Sequence, residues 1–323
     1  MPAPLCLIVN PAAGGGRAGR TAPEAERALR ERGQEVRRAD TRDLDHAREL
    51  ATEAARRGEA IVALGGDGLI GAIADALRHA PGAVLGVIAG GRGNDLARVL
   101  GIPEDPGQAA AVIAAGHTRP VDLGLVEGEP PATLGPAGAG ATPAGGGRAF
   151  VGIASAGFDS DANRIANEAP ARLGGLVYVY GALRALAAWR PARMELELDP
   201  PGERHSFSAF SIGACNSKAY GGGMLAAPDA LLDDGLLEVV VVESRSKLAF
   251  LTRILPKMFN GTHVHEPGVH VFRAHTLSLS ADRPFTMYAD GDPIAELPVR
   301  VRALKGAVTM LVPAEPSAAF AES

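Results

Sequence analysis

Three short glycine-rich segments carry most of the chemistry this sequence can offer. Asn10-Pro-Ala-Ala-Gly-Gly-Gly-Arg17, Gly65-Gly-Asp-Gly68 and Gly90-Gly-Arg-Gly-Asn-Asp95 each follow an apolar run and precede a helical pattern. Glycine has no Cβ, so backbone N–H groups can come close to phosphate oxygens, and a helix N-terminus adds favourable partial charge. One such loop is compatible with an ordinary tight turn. Three of them at the carboxyl ends of strands in one open sheet compose a polyphosphate site. Asp67 lies inside the second loop, where a carboxylate beside a polyphosphate serves as a Mg²⁺ ligand or as a base. Asp292, after Asp290-Gly291, is a second carboxylate at a strand end; on the bare sequence a solvated turn is the alternative. Gly14-Gly-Gly16-Arg-Ala-Gly19 with Asp40 at the end of the next strand imitates a dinucleotide fingerprint, which keeps an NAD(P)-dependent oxidoreductase open. There is no Walker A sequence.

The elements that must position these groups follow from apolar patterning. Leu5–Asn10, Gln34–Ala39, Ala60–Leu64 and Val84–Ala89 read as strands, and Pro23–Arg32, Asp45–Arg57, Leu69–Leu77 and Asp95–Leu100 as helices. This alternation predicts an α/β unit with a parallel sheet over residues 1–123. The low-complexity stretch 127–148, rich in Gly, Ala, Pro and Thr, reads as a flexible insert. Beyond it the pattern changes to strands at Ala149–Ser155, Met194–Leu198, Ser206–Ala214, Leu236–Glu243, His270–Phe272, Thr276–Ser280, Phe285–Ala289 and Val299–Ala303. Two helices, near Leu173–Trp189 and Lys247–Phe259, interrupt them. A β-rich second domain of the sandwich type is expected over 124–305. The run Ala307–Val312 is expected to return to the first domain and complete it over 306–314.

Composition narrows the function classes. The 323 residues suffice for two domains, and 46% hydrophobic residues allow a substantial core. A net charge of −5 argues against a nucleic-acid binder. No apolar run reaches the ~18 residues that cross a bilayer, and the N-terminus lacks the pattern of a signal peptide. Cys6 and Cys215 are too few for a disulfide framework. A cytoplasmic protein is expected. His263 and His265 are too isolated to propose as metal ligands.

Taken together, Asn10-Pro11 with its trailing glycines, Gly65-Gly-Asp-Gly68, Gly91-Arg-Gly-Asn-Asp95-Leu-Ala-Arg98 and Ala289-Asp-Gly-Asp292 resemble the diacylglycerol kinase catalytic-domain family. Asn216-Ser-Lys-Ala-Tyr-Gly-Gly-Gly-Met224 and Ala227-Pro-Asp-Ala-Leu-Leu-Asp-Asp234-Gly-Leu add to the resemblance, which runs from about residue 5 to 313. It implies a fold like that of NAD kinases and phosphofructokinases, with a β-sandwich C-terminal domain. It implies ATP and Mg²⁺ as cofactors and transfer of the γ-phosphate to diacylglycerol or a similar lipid, in phospholipid metabolism. By resemblance Asp292 is the general base, where the family usually has Glu, and Asp67 shares the catalytic duty. The resemblance also implies that Asn10, Pro11, Gly14, Thr41, Gly65, Gly66, Gly68, Arg92 and Asn94 border ATP. Arg17, Arg20 and Arg98 either neutralise phosphate or are solvated helix residues. Asp234, with the carbonyls of Leu231 and Leu236, resembles a structural Mg²⁺ site; a plain turn before the next strand is the alternative.

Departures from the family pattern are equally legible. Leu69 stands for the usual Thr, Gly71-Ala72 for Asn-Glu, and Arg92 for the Thr of the third loop. These leave room for a non-catalytic relative, and the acceptor domain leaves room for a sphingoid or polyprenol lipid. The expected partner is a lipid substrate at the membrane surface, met peripherally at the inner face; no nucleic acid is expected, and a homodimer stays open.

Overall fold

The computed structural model describes residues 4–131, 147–158, 160–162, 165, 184–199, 202–315 and 317–320. The first unit alternates β1 (Leu5–Val9), α1 (Ala13–Glu31), β2 (Val36–Asp40), α2 (Leu44–Arg56), β3 (Ala60–Gly65), α3 (Asp67–Leu77), β4 (Val84–Ala89), α4 (Asp95–Val99) and α5 (Pro106–Ala115). The strands lie parallel in the order β2-β1-β3-β4. Unbroken apolar runs such as Leu5-Cys-Leu-Ile-Val9 suit strands covered on both faces, and all five of these residues are buried. The covering helices approach closely because their inner faces are alanine: Ala47, Ala51 and Ala54 on α2, and Ala18, Ala22, Ala25 and Ala28 on α1. Asp43 and Asp105 start α2 and α5 by accepting hydrogen bonds from the His46 and Gln108 N–H groups.

Two elements here differ from the sequence expectation. The first helix starts ahead of Pro23: Gly14, Gly15 and Gly16 are left-handed and non-helical, a kink after Ala13, and the regular helix runs on from there to Glu31. The helix α5 carries too little apolar–polar contrast to show in periodicity, yet it packs Ala109, Ala110 and Ile113 into the core.

The second unit contains β5 (Thr118–Glu129), β6 (Arg148–Phe150), β7 (Ile153–Gly157), β8 (Ala192–Asp199), β9 (Glu203–Cys215), the small hairpin β10 (Ala219–Tyr220) and β11 (Met224–Leu225), β12 (Leu237–Glu243), β13 (Val269–Ala274), β14 (Thr276–Ala281), β15 (Thr286–Ala289) and β16 (Asp292–Leu311). Antiparallel pairing closes the ring β9-β7-β15-β16-β14-β8, so β9 and β16 belong to both layers of the sandwich. On β8 the sequence Ala-Arg-Met-Glu-Leu-Glu-Leu-Asp buries every second residue, as a strand with one wet face must. Phe158, Trp189, Phe210 and Phe250 fill the core, with Phe158 edge-on to the other three.

Here too the residues revise the expectation. The stretch read as one strand, Ala149–Ser155, is two, because the chain turns at Val151-Gly152. Residues 127–129 belong to β5 and Arg148 to β6, so the two ends of the expected insert are sheet; 132–146 lie outside the described residues. The helix expected over Leu173–Trp189 falls mostly outside them as well, with 184–188 helical. Val299–Ala303 and Ala307–Val312 are parts of the one long strand β16, which stays paired with β5 through register shifts between Glu296 and Arg300 and between Leu304 and Val308. Its end crosses to the first unit, where Thr309 and Met310 lie parallel to Val84 and Leu85 of β4.

Candidate functional site

The three glycine loops meet backbone to backbone. Asn10 N–H donates to the Leu64 carbonyl at 3.1 Å and Gly90 N–H to the Gly65 carbonyl at 2.8 Å. A Cβ on Gly91 would stand 2.5 Å from the Gly66 Cα, and one on Gly14 the same distance from the Gly90 carbonyl oxygen. Side chains here would push the loops apart. Asp67, the first residue of α3, accepts from the N–H groups of Leu96 at 3.0 Å and Asp95 at 3.1 Å, and so caps α4 from a different loop. Asp95 in turn accepts from Gly222 N–H at 2.8 Å, tying the third loop to the β10–β11 turn of the second unit.

Asp292 arrives from the other direction, as the first residue of β16. A Cβ on Gly68 would be 2.5 Å from its Oδ2, so the carboxylate lies directly on the bare backbone of the second loop. Asp290, two residues earlier, accepts from Val151 N–H at 2.9 Å and Gly152 N–H at 2.8 Å. These two bonds hold a non-glycine residue at φ 52, a conformation that costs about 1–2 kcal/mol. A cleft of about 640 Å³ lies between the units, lined by Asp67, Gly93, Asp95, Val151–Ile153, Ser155, Tyr220, Tyr288 and Asp290.

Asp67 and Asp290 of this cleft, and Asp292 beside it, are displaced from their ordinary behaviour. Burial pushes Asp290 up to about 7, against its two N–H donors, and the charges of Asp67 and Asp292 add to the rise. Burial raises Asp67 as well; the Leu96 N–H opposes it and Asp95 assists it. Asp292 is raised by burial, with Arg148 and then Arg48 working against the rise. Carboxyls desolvated in a cleft in this way are candidates for proton transfer.

The remaining residues singled out in the sequence are distributed unevenly. Thr41 is buried, its N–H on the Val9 carbonyl and its hydroxyl on the Asp43 carbonyl. Asn10 folds its side-chain oxygen onto Ala12 N–H, and the Pro11 carbonyl faces Gly19. Arg92 is exposed at the rim. Asn94 is buried and holds both the N–H and the carbonyl of Gly91 with its amide, so it shapes the third loop from within. Arg98 pairs with Asp95 at 2.8 Å, Arg17 reaches Glu104 at 3.8 Å, and Arg20 touches the Gly15 carbonyl. His263 is a hydrogen-bonded core residue, its Nε2 3.1 Å from the Ala226 carbonyl.

The residues that resembled a structural Mg²⁺ site do not fit a cation in this arrangement. Asp234 uses one oxygen on Leu236 N–H and the other on the Arg273 guanidinium, so its charge is already compensated. Asp67 is the better donor: its oxygens accept the Leu96 and Asp95 N–H groups and no guanidinium among the described residues pairs with it, whereas Asp95 is engaged by Arg98 and Gly222. Among the described residues no three His, Cys, Asp or Glu side chains close around one point, so a Mg²⁺ here would need phosphate oxygens to complete its shell.

Several members of the site were missing from the sequence reading. Asp95 and Asp290 stood beside residues that were chosen, but nothing in their spacing told a loop-tying carboxylate from a solvated one. Asp122 is fully buried and accepts from Gly235 and Gly306, both at 2.6 Å. Asn216 donates to the Asp122 and Val151 carbonyls, both at 2.8 Å. Arg48 and Arg148, near Asp292, lie on α2 and at the edge of the low-complexity stretch, far from any motif.

Comparison with known proteins agrees with this geometry. Residues 4–126 match the family model described as diacylglycerol kinase catalytic domain, and residues 152–312 match the YegS C-terminal NAD kinase beta sandwich-like domain. A diacylglycerol kinase of Mycobacterium tuberculosis is 32% identical over 314 residues, covering 96% of this chain and 95% of the relative. A protein of Serratia proteamaculans named "Probable lipid kinase YegS-like" is 30% identical over 322 residues, covering 97% and 95%. Among solved structures, a diacylglycerol kinase from Bacillus anthracis superposes with a TM-score of 0.69 at 19% identity over 96% of this chain and 97% of that one. Yeast NADH kinase superposes with a TM-score of 0.52 at 10% identity over 97% and 84%. The glycine loops, the closed sandwich that delivers Asp292 to them and the end-to-end similarity have one reading: the chain belongs to the diacylglycerol kinase catalytic-domain family of lipid kinases.

Proposed function

We propose that this protein transfers the γ-phosphoryl group of ATP to the hydroxyl of diacylglycerol or a closely similar lipid. The observation that carries this reading is the position of Asp292 against Gly68, which puts a desolvated carboxylate at the phosphate-binding loop. The glycine loops supply N–H groups for the polyphosphate, and Asp67 would help to hold the Mg²⁺ that accompanies it. That cation would neutralise phosphate charge. Asp292 takes the proton of the acceptor hydroxyl as its oxygen bonds to phosphorus, and the bond from phosphorus to the leaving ADP oxygen breaks. Asp290 holds Val151 and Gly152 and so fixes the wall of the cleft from which the acceptor approaches.

A lipid acceptor resides in a bilayer, so the partner we propose is a membrane surface on the side where ATP is available. No helix among the described residues is long and apolar enough to cross a membrane. The segment Ser244–Asn260 carries Arg245, Lys247, Arg253 and Lys257 with no carboxylate in a chain of net charge −5. It exposes Leu248 and Phe259, at 69% and 61%, which suits contact with an anionic lipid surface.

The test is phosphorylation from labelled ATP over a panel of lipid alcohols in mixed micelles, wild type against Asp292→Asn. Diacylglycerol should be phosphorylated, and the variant should lose about 10²–10⁴-fold in kcat while keeping its melting temperature. Turnover of no lipid alcohol, or an Asp292→Asn variant as fast as wild type, would end the reading.

A further inference from the structure

Beside Asp292, and sharing Asp290 with the main cleft, lies a second, smaller cavity lined by Arg48, Gly68, Ala72, Arg148 and the carboxyls of Asp290 and Asp292 among others. We propose that Arg148 and Arg48, with the first turn of α3, form a phosphate-binding subsite that holds the phosphoryl group in transit between nucleotide and acceptor. The proposal rests on the reading of Asp292 as the base.

Arg148 begins β6, paired with Val126, and is half-buried, yet its side chain makes no ion pair and no hydrogen bond among the described residues. A guanidinium has five donors in a fixed fork, and enclosing them unpaired is costly unless an anion visits. The neighbouring carboxylates do not meet that need. Asp75 is already shared by Arg78 at 2.9 Å, Arg48 at 3.5 Å and the Ala149 N–H at 2.9 Å. Asp292 is near enough to feel Arg148 and Arg48 but hydrogen-bonds to neither.

The second guanidinium sharpens the argument. Arg48 is held on Asp45 at 2.8 Å and on Asp75, with its side chain 22% exposed. Burial and then the charge of Arg48 both disfavour the charged form of Arg148. Two like charges beside one cavity, of which only Arg48 is ion-paired, suit a dianionic oxyanion, which both forks can bind.

The floor of the cavity fits the same ligand. Gly68 presents bare backbone on the first turn of α3, where the helix dipole favours negative charge, and Gly71 in the next turn leaves room for the Asp290 carboxyl. Two of the departures noted in the sequence fall here: Gly71 and Ala72, which stand for Asn-Glu, both line the cavity with the two arginines. The polar groups lost from α3 are thus replaced by guanidinium groups from α2 and β6. As the acceptor oxygen bonds to phosphorus and its proton passes to Asp292, the equatorial phosphoryl oxygens gain hydrogen bonds from Arg148 and Arg48.

The experiment compares wild type, Arg148→Met, Arg148→Lys and Arg48→Met by thermal shift with inorganic phosphate against chloride at equal ionic strength, and by kcat and KM for ATP. Phosphate should raise the melting temperature of wild type and not that of Arg148→Met. The same variant should lose about 10²–10³-fold in kcat with KM for ATP within about threefold. Arg148→Lys should recover part of both, since it restores charge without the fork. Should Arg148→Met not fold, the Arg148→Lys and Arg48→Met pair must each show a reduced phosphate shift and reduced kcat. A phosphate shift and kcat unaltered by these changes overturns the subsite. A wild type that phosphorylates no lipid, yet shows the Arg148-dependent phosphate shift, removes the kinase reading and leaves the anion site standing.

Discussion

The contact between Gly68 and Asp292 can be tested with one methyl group. In Gly68→Ala the new Cβ would stand 2.5 Å from the Asp292 Oδ2 and 3.4 Å from the Asp290 carbonyl oxygen, where ordinary contact begins at 3.4 Å. The carboxylate must therefore retreat by about 0.9 Å, or α3 must tilt by as much. The backbone itself has no objection, because Gly68 lies in α3 without a left-handed φ. An exposed helical Ala is favoured over Gly by about 0.8–1 kcal/mol, whereas overpacking costs about 1–3 kcal/mol. The two nearly offset, so the net loss of stability should be no more than about 2 kcal/mol. The effect on chemistry does not offset, since a misplacement of about 1 Å at a reacting group costs about 10²-fold in rate. The assay is kcat for lipid phosphorylation beside a thermal melt of the same preparation. A variant that melts within about 8 °C of wild type but turns over about 100-fold more slowly is expected. Wild-type kcat in a folded Gly68→Ala chain would refute the claim that Asp292 works from this position.

Three further outcomes follow from the buried polar groups. The Asp290 carboxyl titrates at about 7 when folded and near its ordinary 3.8 when unfolded, so the folded chain holds the extra proton between these values and stability falls as pH rises across them. Denaturant titrations at pH 5 and pH 8 should therefore show Asp290→Asn gaining on wild type at the higher pH by up to a few kcal/mol; an unchanged difference contradicts the burial argument. Asp122→Ala strands the N–H groups of Gly235 and Gly306 and should lower stability by about 2–4 kcal/mol, read as a lower denaturation midpoint. Because Asp234 is already paired with Arg273, millimolar Mg²⁺ alone should leave the melting temperature of the nucleotide-free chain unchanged and should raise that of Arg273→Ala; a Mg²⁺ shift in wild type contradicts the pairing.

Local patterning was sufficient wherever one residue type performs one physical task. Continuous apolar runs marked β1, β3 and β4, and glycine clusters marked the loops that follow them, because close approach of backbone to backbone leaves no other choice at Gly91. The alternation on β8 showed a strand with one wet face. The order of the motifs carried the family and the fold. Tertiary structure alone decided what the polar residues do. Asn94, read as bordering a nucleotide, spends its amide on Gly91, and Asp234, read as a cation ligand, is neutralised by an arginine 39 residues away. Arg148 and Asp292 are 144 positions apart and meet only because β16 leads from the phosphate loop through both sandwich layers and back to β4. A glycine or an apolar run acts on its nearest neighbours, which the sequence displays. A charge acts on whatever the fold places within a few ångströms of it, and that distance is not written along the chain.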